Sequence, residues 1–512
     1  MNMPSSSSNR SDLLLTGCTG FVGHYLLANL LLQGRRCGVL LRAPLKDSLA
    51  RLTPLLSDLG IDLHAAIASH QVVPIEGDLG SDAPNIGSLR IGTIVHAAAS
   101  TLFDRNESGE PSRTNVEGTA NLLCWAQQWN VSNVHHVSTA YSGGRHDGIV
   151  PEEMHEGPRT FRNDYERSKC EAEWLCRQWA DGTGGTLTIH RPAVVVGAYD
   201  TGRASKFDGL YLSARATQVF SRMYDTGDPA RHALSLRLRG RAEECQNLVP
   251  VDYVAAMIAA AVVRPSMHGR IYHLVHPNPP SNQMISDSLN RHFDVAGSHW
   301  VEPAIFDEMA LTEHEQIFNN FSKPIAHYFV DTPRFARGNA EDLERTAGLH
   351  CGTFDEAAIG RLMHFAQASH WGKKKREPRK VASSCAAYFE DFLPKNVAHS
   401  NVARLTGLSV IVRFIIEDEA NGQWVCRFDR GELTQVHRGS NSLNEDFGYR
   451  LNSDVFWRAV SGKVHPQQAF LTGEVQVYGD VERALKMAMI LHAFNQEFPF
   501  EQGGRRCLQH AS

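Results

Sequence analysis

An α/β doubly wound parallel sheet with a substrate and helical cap region, followed by a small α+β domain, is the architecture this 512-residue sequence predicts. Three observations carry that reading. Strand-length apolar runs alternate with helix-length apolar periodicity from residue 12 to about 275, which is the pattern of a parallel sheet with crossover helices. A glycine-rich turn, Thr16-Gly17-Cys18-Thr19-Gly20-Phe21-Val22-Gly23, joins the first strand to the first helix. A basic stretch at 371–380 then separates this half from a segment where strands come first and helices follow.

The turn follows Leu13-Leu14-Leu15 and opens the apolar stretch 25–32. Strand, tight turn and helix is the context in which glycines let a backbone approach a pyrophosphate, with the first free helix amides aimed at its charge. The spacing is Gly-x-x-Gly-x-x-Gly, one residue different from the common dinucleotide fingerprint, and among 41 glycines the bare match is a weak signal. The alternative is a glycine-rich turn in any α/β domain. On the dinucleotide reading, Thr16, Gly17, Thr19, Gly20, Phe21, Val22 and Gly23 line the cofactor.

Residues 36–41 form the second strand and place Arg42 at its carboxyl end, 19 residues beyond Gly23. An acidic residue there would bind the two adenosine ribose hydroxyls of NAD, whereas a cation favours the 2′-phosphate of NADP. Arg42 therefore points to NADP(H), with Arg36 and Arg35 less well placed and an ordinary surface arginine as the alternative. The third strand, 71–75, ends at Glu76-Gly77-Asp78-Leu79, where Asp78, beside Leu79, can accept from the adenine amino group. The fourth, 91–99, ends in the small residues Ala97, Ala98 and Ala99, which let the cofactor lie close. His96, among apolar neighbours, reads as structural rather than as a proton carrier. Asn115 to Thr119 begins a helix, and the fifth strand, 134–137, ends in the hydroxyls of Ser138 and Thr139, where α/β sites form. Tyr165 and Lys169, four residues apart, share one helix face, close enough for the cation to favour a phenolate. Another strand follows at 187–196.

These pieces, with Arg191-Pro192, resemble an extended short-chain dehydrogenase/reductase with a Rossmann-type sheet. Val137-Ser138-Thr139-Ala140-Tyr141, residues 191–197 and Leu248-Val249-Pro250-Val251-Asp252-Tyr253-Val254 are similar to its thioester-reductase and fatty acyl reductase branch, the male-sterility-type domains. The resemblance covers about half the chain. It implies that Tyr165 donates the proton to a developing alkoxide, and that Lys169 lowers the phenol's pKa and binds the nicotinamide ribose. It also implies that Thr139 holds the substrate carbonyl with Ser138 as its neighbour, and that Asn115 supports the relay. Hydride attack on a carbonyl builds negative charge on oxygen, which two hydroxyl donors and a nearby cation stabilise. Beyond Gly197, Arg203 and Lys206 resemble substrate-loop sequence and can meet a phosphopantetheine or coenzyme A phosphate, or simply face solvent. Residues 284–293 read as helical, as do 317–328 and 354–368, the last two forming a cap over the substrate cavity.

Composition narrows the alternatives. The chain is too long for one ordinary core, and a net charge of −5 gives no support for a nucleic-acid binder. Its ten cysteines contain no Cys-x-x-Cys pair, which favours reduced thiols in the cytoplasm and no metal site. Residues 1–11 are serine-rich and polar, read as disordered and without a signal core. No apolar run is long enough to span a membrane, which leaves peripheral lipid contact open.

Seven of the ten residues from Trp371 to Lys380 are charged, six of them positive, so 371–382 reads as a solvated linker. Beyond it, strands are read at 409–417 and 423–429 and a helix at 454–461. A long strand or strand pair is read over 470–480, then an amphipathic helix over 481–494. Trp424, Gly431, Asp454, Phe456, Gly462, Phe470-Leu471-Thr472-Gly473, Tyr478-Gly479-Asp480 and Ala484 resemble a sterol carrier protein-2-like domain over 383–500. That family encloses an apolar cavity for acyl chains, acyl-CoA or sterols. Phe456, Trp457, Phe470, Leu485, Met487, Met489, Leu491 and Phe494 would line it here, or else make a plain core.

The organisation expected is thus a reductase domain at 12–300, a helical extension at 301–370, the linker, the carrier-like domain and a tail at 501–512. The function expected is NADPH-dependent reduction of a hydrophobic acyl thioester, on coenzyme A or an acyl carrier protein, to aldehyde, with a second reduction to alcohol left open. Oxidoreduction of a sterol or lipid ketone, and a non-catalytic lipid-transfer or scaffold role, are the rivals.

Overall fold

The computed structural model describes residues 12–223, 236–295, 297–312, 315–316, 318–319, 323–372, 385–400, 409–439 and 444–500. The serine-rich start, most of the basic linker and the tail lie outside the described residues. The chain divides into two compact units, one of residues 1–212, 235–310 and 322–372, the other of residues 213–234, 311–321 and 373–512.

The first unit is built on seven parallel strands. They are β1 (Asp12–Thr16), β2 (Cys37–Leu41), β3 (Val72–Glu76), β4 (Ile91–His96), β5 (Asn133–Val137), β6 (Thr186–Pro192) and β7 (Ile271–Leu274). Their order across the sheet is β7-β6-β5-β4-β1-β2-β3, with every neighbouring pair parallel. Burial on both faces explains the near-continuous apolar strands such as Leu13-Leu14-Leu15, all fully buried. Leu13, Leu15, Val39 and Tyr272 pack with α1 (Phe21–Leu32) in one core cluster. Leu14, Ile94 and Val134 pack in another with Leu122 and Trp125. The strand order reverses between β1 and β4, and the crevice at their carboxyl ends is where such sheets hold ligands.

The later helices are α2 (Leu45–Ser57), α3 (Gly118–Gln128), α4 (Asp164–Thr183), α5 (Leu210–Met223), α6 (Val251–Val262), α7 (Asn282–Phe293) and α8 (Glu356–Ala368), of which α3, α4, α7 and α8 lie where the sequence predicts helix. The helix expected over 317–328 is described only in part: residues 318–319 are helical, and Lys323–Phe329 form a 3₁₀ turn.

The second unit contains a five-stranded sheet of β8 (Val410–Ile416), β9 (Gln423–Asp429), β10 (Glu432–Arg438), β11 (Phe447–Leu451) and β12 (Val475–Gly479), ordered β10-β9-β8-β11-β12. Phe389, Phe414, Trp424, Phe447, Phe456, Met487 and Phe494 share its core, with α9 (Ser453–Val460) and α11 (Val481–Glu497) contributing the last three. One reading is corrected here. The segment 470–480 is not a long strand or strand pair: α10 (Pro466–Leu471) ends at Gly473, whose φ of +61° turns the chain into β12. Proline at the first helical position favours that helix start. Strand β10 escapes notice because it is an edge strand, mostly exposed and without apolar alternation.

Of the eight expected cavity residues, Phe456, Phe470, Leu485, Met487 and Phe494 are buried, while Trp457, Met489 and Leu491 are half-buried. A separate groove of about 280 Å³ runs along β10, lined by Glu390, Pro394, Leu433, Thr434, Gln435 and Val436, and includes none of them.

Candidate active site

The glycine-rich turn is locked by backbone contact. Gly17 has φ +73°, and a Cβ built on it would stand 2.5 Å from the Ala98 nitrogen. A Cβ on Gly23 would stand 2.0 Å from the Gly17 oxygen. The Gly20 amide donates to that oxygen at 2.9 Å, and Gly20 caps α1 without any side-chain cap bond. An uncapped helix start beside partly exposed Thr19, Phe21 and Val22 suits an anionic group such as a pyrophosphate.

A buried polar chain ties this turn to β4 and α3. Thr119 donates to the Asn115 carbonyl at 2.6 Å, so its oxygen accepts from His96 Nε2–H at 3.0 Å. His96 Nδ1 then accepts from the Thr16 hydroxyl at 2.8 Å, and Thr16 Oγ1 accepts from the Ala98 amide. One neutral tautomer satisfies every bond, and burial holds the imidazole down to about 3. Asn115 sits in the π-helical turn Arg113–Glu117, where its amide exchanges two hydrogen bonds with the Ser100 backbone and donates to Ser168 Oγ at 2.9 Å.

At the neighbouring strand end Ser138 and Thr139 are buried, and Thr139 caps a 3₁₀ turn, Ala140–Gly143. Tyr165, in the first turn of α4, lies beside Thr139. Burial pushes its phenol up to about 12, opposed by the neighbouring Thr139 hydroxyl and reinforced by the charge of Glu166. The Lys169 ammonium is turned to β5, donating to the Val137 carbonyl at 2.8 Å and to His136 Nε2 at 3.3 Å. Burial lowers its pKa to about 8, opposed by Cys176 and Glu173. The ammonium thus hydrogen-bonds to the strand, and the groups that set the Tyr165 pKa are its burial, Thr139 and Glu166.

Arg42 is exposed just past β2, with its carbonyl accepting from Ser48 Oγ, to which Arg51 donates at 2.9 Å. Arg36 instead pairs with Asp12 at 3.2 Å, at the opposite end of the strands. Asp78 is exposed and caps the Gly80 amide, beside half-buried Leu79. Ala97 and Ala98 lie against the turn. Arg203 pairs with Asp58 at 3.2 Å, and Lys206 bonds to Asp208 at 2.8 Å and to Thr101. Both cations are paired within the fold.

The fold adds groups that no local signal announces. The Tyr328 hydroxyl donates to Glu166 Oε1 at 2.8 Å and accepts from Asn163, which caps α4. Its ring meets Tyr141 and Phe103, and the Phe103 ring centroid lies 6.4 Å from that of Tyr165. An aromatic wall therefore stands beside the phenol. Beneath it, fully buried Arg191 holds Glu173 with two bonds, of 3.0 and 2.7 Å.

Residues 15–258 match the model of the male sterility protein family, and residues 389–492 match that of the SCP-2 sterol transfer family. A linear gramicidin synthase of Brevibacillus parabrevis is 24% identical over 69% of this chain and 7% of its own length. The isonitrile lipopeptide synthase of Streptomyces coeruleorubidus is 33% identical over 42% of this chain and 15% of its own. The chain thus spans a small part of these curated relatives. In fold it is similar to the terminal R domain from the myxalamid PKS-NRPS pathway, with a TM-score of 0.58 at 23% identity, over 70% of this chain and 91% of that one. A thiolation-reductase di-domain from an archaeal non-ribosomal peptide synthetase gives 0.55 at 21% identity, over 71% and 76%. Among the described residues no helix is long and apolar enough to cross a membrane.

Proposed function

We propose, for a chain that joins a domain of the male sterility protein family to one of the SCP-2 sterol transfer family, that it reduces the thioester of a hydrophobic acyl group with NADPH. The product is the aldehyde, and the acyl carrier is coenzyme A or an acyl carrier protein. The observation that carries this reading is the pairing of Tyr165 with Thr139 beside an aromatic wall, at the sheet edge that also bears the glycine-rich turn. The relatives and the similar folds include reductase domains of carrier-bound thioester assembly systems, which favours a thioester over a ketone.

Thr16 to Gly23, with Ala97 and Ala98, would hold the dinucleotide, Asp78 and Leu79 would meet its adenine, and Arg42 with Arg51 its 2′-phosphate. When bound, the nucleotide would supply the hydride. Thr139 and Tyr165 hold the carbonyl oxygen, Tyr165 delivers its proton to the oxygen as charge builds there, and the Lys169 ammonium stabilises that charge. Loss of the thiol from the tetrahedral product leaves the aldehyde. Ser138 and Asn115 support this arrangement, and Arg203 and Lys206 serve the carrier phosphate once released from Asp58 and Asp208.

We parse the chain as a reductase domain over 12–300, a helical extension over 301–370 and a lipid-holding domain over 383–500, working in the cytoplasm. The described cysteines, all free, favour a reducing compartment. The test is the purified full chain with NADPH and a panel of acyl-CoA, acyl-carrier-protein and steroid ketone substrates, with products identified by mass. Thioester-dependent aldehyde formation is expected, lowered about 100-fold or more by Tyr165→Phe. Turnover confined to ketones, or unchanged in that variant, refutes the reading.

A further inference from the structure

We propose that His136 is a positioning residue for Lys169: its neutral imidazole accepts a hydrogen bond from the ammonium through Nε2 and so fixes the direction and the charge of that group. The inference deepens the reductase reading and rests on it for the role of Lys169.

His136 lies on β5 two residues before Ser138, so its side chain projects to the same face of the sheet as that of the hydroxyl residue. Both partners are sealed from solvent, His136 at 0% and Lys169 at 1% exposure, with 3.3 Å between Nζ and Nε2. An ammonium has three donors. The Val137 carbonyl takes one and His136 a second, which leaves one for whatever binds at the carboxyl end of the sheet.

The tautomer follows. An Nε2 that accepts from an ammonium puts the ring proton on Nδ1, and Nδ1 of His136 is buried with no hydrogen-bond partner among the described residues. A buried donor left unpaired costs stability. An apolar side chain of similar volume would fill the position without that cost, so what the imidazole contributes is its contact with Lys169. His96, whose ring centroid is 5.4 Å away on β4, cannot substitute, because both its nitrogens are committed to Thr16 and Thr119.

Among the described residues, the titratable groups around the ammonium and its acceptor come from four elements. Glu173 and Cys176 come from its own helix, together with Tyr165 one turn earlier, while β5 brings His136, β4 brings His96 and β6 brings His190 beside His136. Burial holds His136 well below the ordinary imidazole range, so it stays neutral and acts as an acceptor across the working pH range. Lys169, with its pKa lowered to about 8, is charged below that pH and loses its charge as pH rises through it. Removing a neutral acceptor destabilises the charged form and moves that transition to lower pH.

The experiment compares His136→Gln, whose side-chain oxygen reaches the Nε2 position, with His136→Asn, whose oxygen stops short of it. His136→Leu, apolar, of similar volume and with no acceptor at all, is the second variant that presents no acceptor to Lys169, used if the Asn variant does not fold. In the full chain, turnover of an acyl-CoA and NADPH binding by nucleotide fluorescence are followed from pH 6 to 10, with melting temperature as the folding control. The acceptor-free variant is expected to move the alkaline limb down by about one pH unit. At pH 8 that is a roughly fivefold lower kcat, with the acyl-substrate KM unchanged. The Gln variant is expected to keep the limb of the parent. Gln and acceptor-free variants that behave alike, both shifted or both unshifted, overturn the proposal. A parent without thioester turnover overturns the reductase reading instead, and the pH limb of NADPH binding still decides the role of His136.

Discussion

Replacing Gly23 by alanine tests whether the first turn of α1 is locked against the glycine-rich loop. The intrinsic effect favours the substitution, since alanine in a helix interior is better than glycine by about 0.8–1 kcal/mol. The tertiary effect opposes it. The new Cβ would lie 2.0 Å from the Gly17 oxygen, 2.7 Å from the Gly17 carbon and 2.9 Å from Cys18 Cα, where ordinary contact begins at 3.4 Å. The backbones must therefore part by more than an ångström. Gly17 has little room to retreat, because the Ala97 and Ala98 backbone backs it so closely that a Cβ built on Gly17 would stand 2.5 Å from the Ala98 nitrogen and 2.6 Å from the Ala97 carbonyl carbon. Overpacking of this kind costs about 1–3 kcal/mol or more, so the net expectation is a loss of about 1–2 kcal/mol and a fall in Tm of about 3–6 °C. Displacing the turn also weakens NADPH binding at least about tenfold, or about 1.4 kcal/mol. Gly360, inside α8 with nothing within 4 Å of a built Cβ, is the control, and Gly360→Ala is expected to stabilise by about 0.5–1 kcal/mol. Calorimetry and nucleotide titration of both variants decide the matter. A Gly23→Ala protein that melts at or above the parent and binds NADPH within about twofold refutes the reasoning.

Four further outcomes are expected. Arg191→Met leaves the Glu173 carboxylate buried without its cation and should cost about 3–5 kcal/mol, read from the denaturant midpoint; an unchanged midpoint contradicts it. Burial would raise the Glu173 pKa, but Arg191 holds it down to about 2 against an ordinary 4.5. Its contribution is therefore complete above pH 4.5 and lost as pH falls toward 2, and unfolding curves that stay flat across that window contradict the assignment. Tyr328→Phe removes the hydroxyl shared by Glu166 and Asn163, with an expected loss of about 1–3 kcal/mol and a higher KM for the acyl substrate; equal Tm and KM would show the contact to be idle. Arg42→Ala and Arg51→Ala should each weaken NADPH binding about tenfold while leaving NADH unaffected, and equal losses for both nucleotides would remove them from the 2′-phosphate.

Much of the first fold is legible in one dimension because its signals are local. Leu13-Leu14-Leu15 followed by a glycine turn is a strand entering a helix whatever else the chain does, and the same holds for the small residues after β4. The hydroxyls at 138–139 and the Tyr165–Lys169 spacing were visible for the same reason. Edge strand β10 and helix α10 were not, since an exposed strand needs no apolar alternation and Phe470-Leu471 suits either state until its neighbours choose.

The parallel α/β alternation, the glycine turn after β1 and the order of the chemistry-bearing residues are short-range features, written along the chain in one dimension. Long-range packing chose the partners. It turned Lys169 toward Val137 and His136, spent Arg36 on Asp12 and Arg203 on Asp58, and brought Tyr328 against Glu166 from 162 residues away. Local propensity is written in neighbouring side chains. Which buried donor meets which acceptor depends on how strands and helices far apart in the chain are packed, because every buried polar group must find its partner among whatever the fold brings within reach.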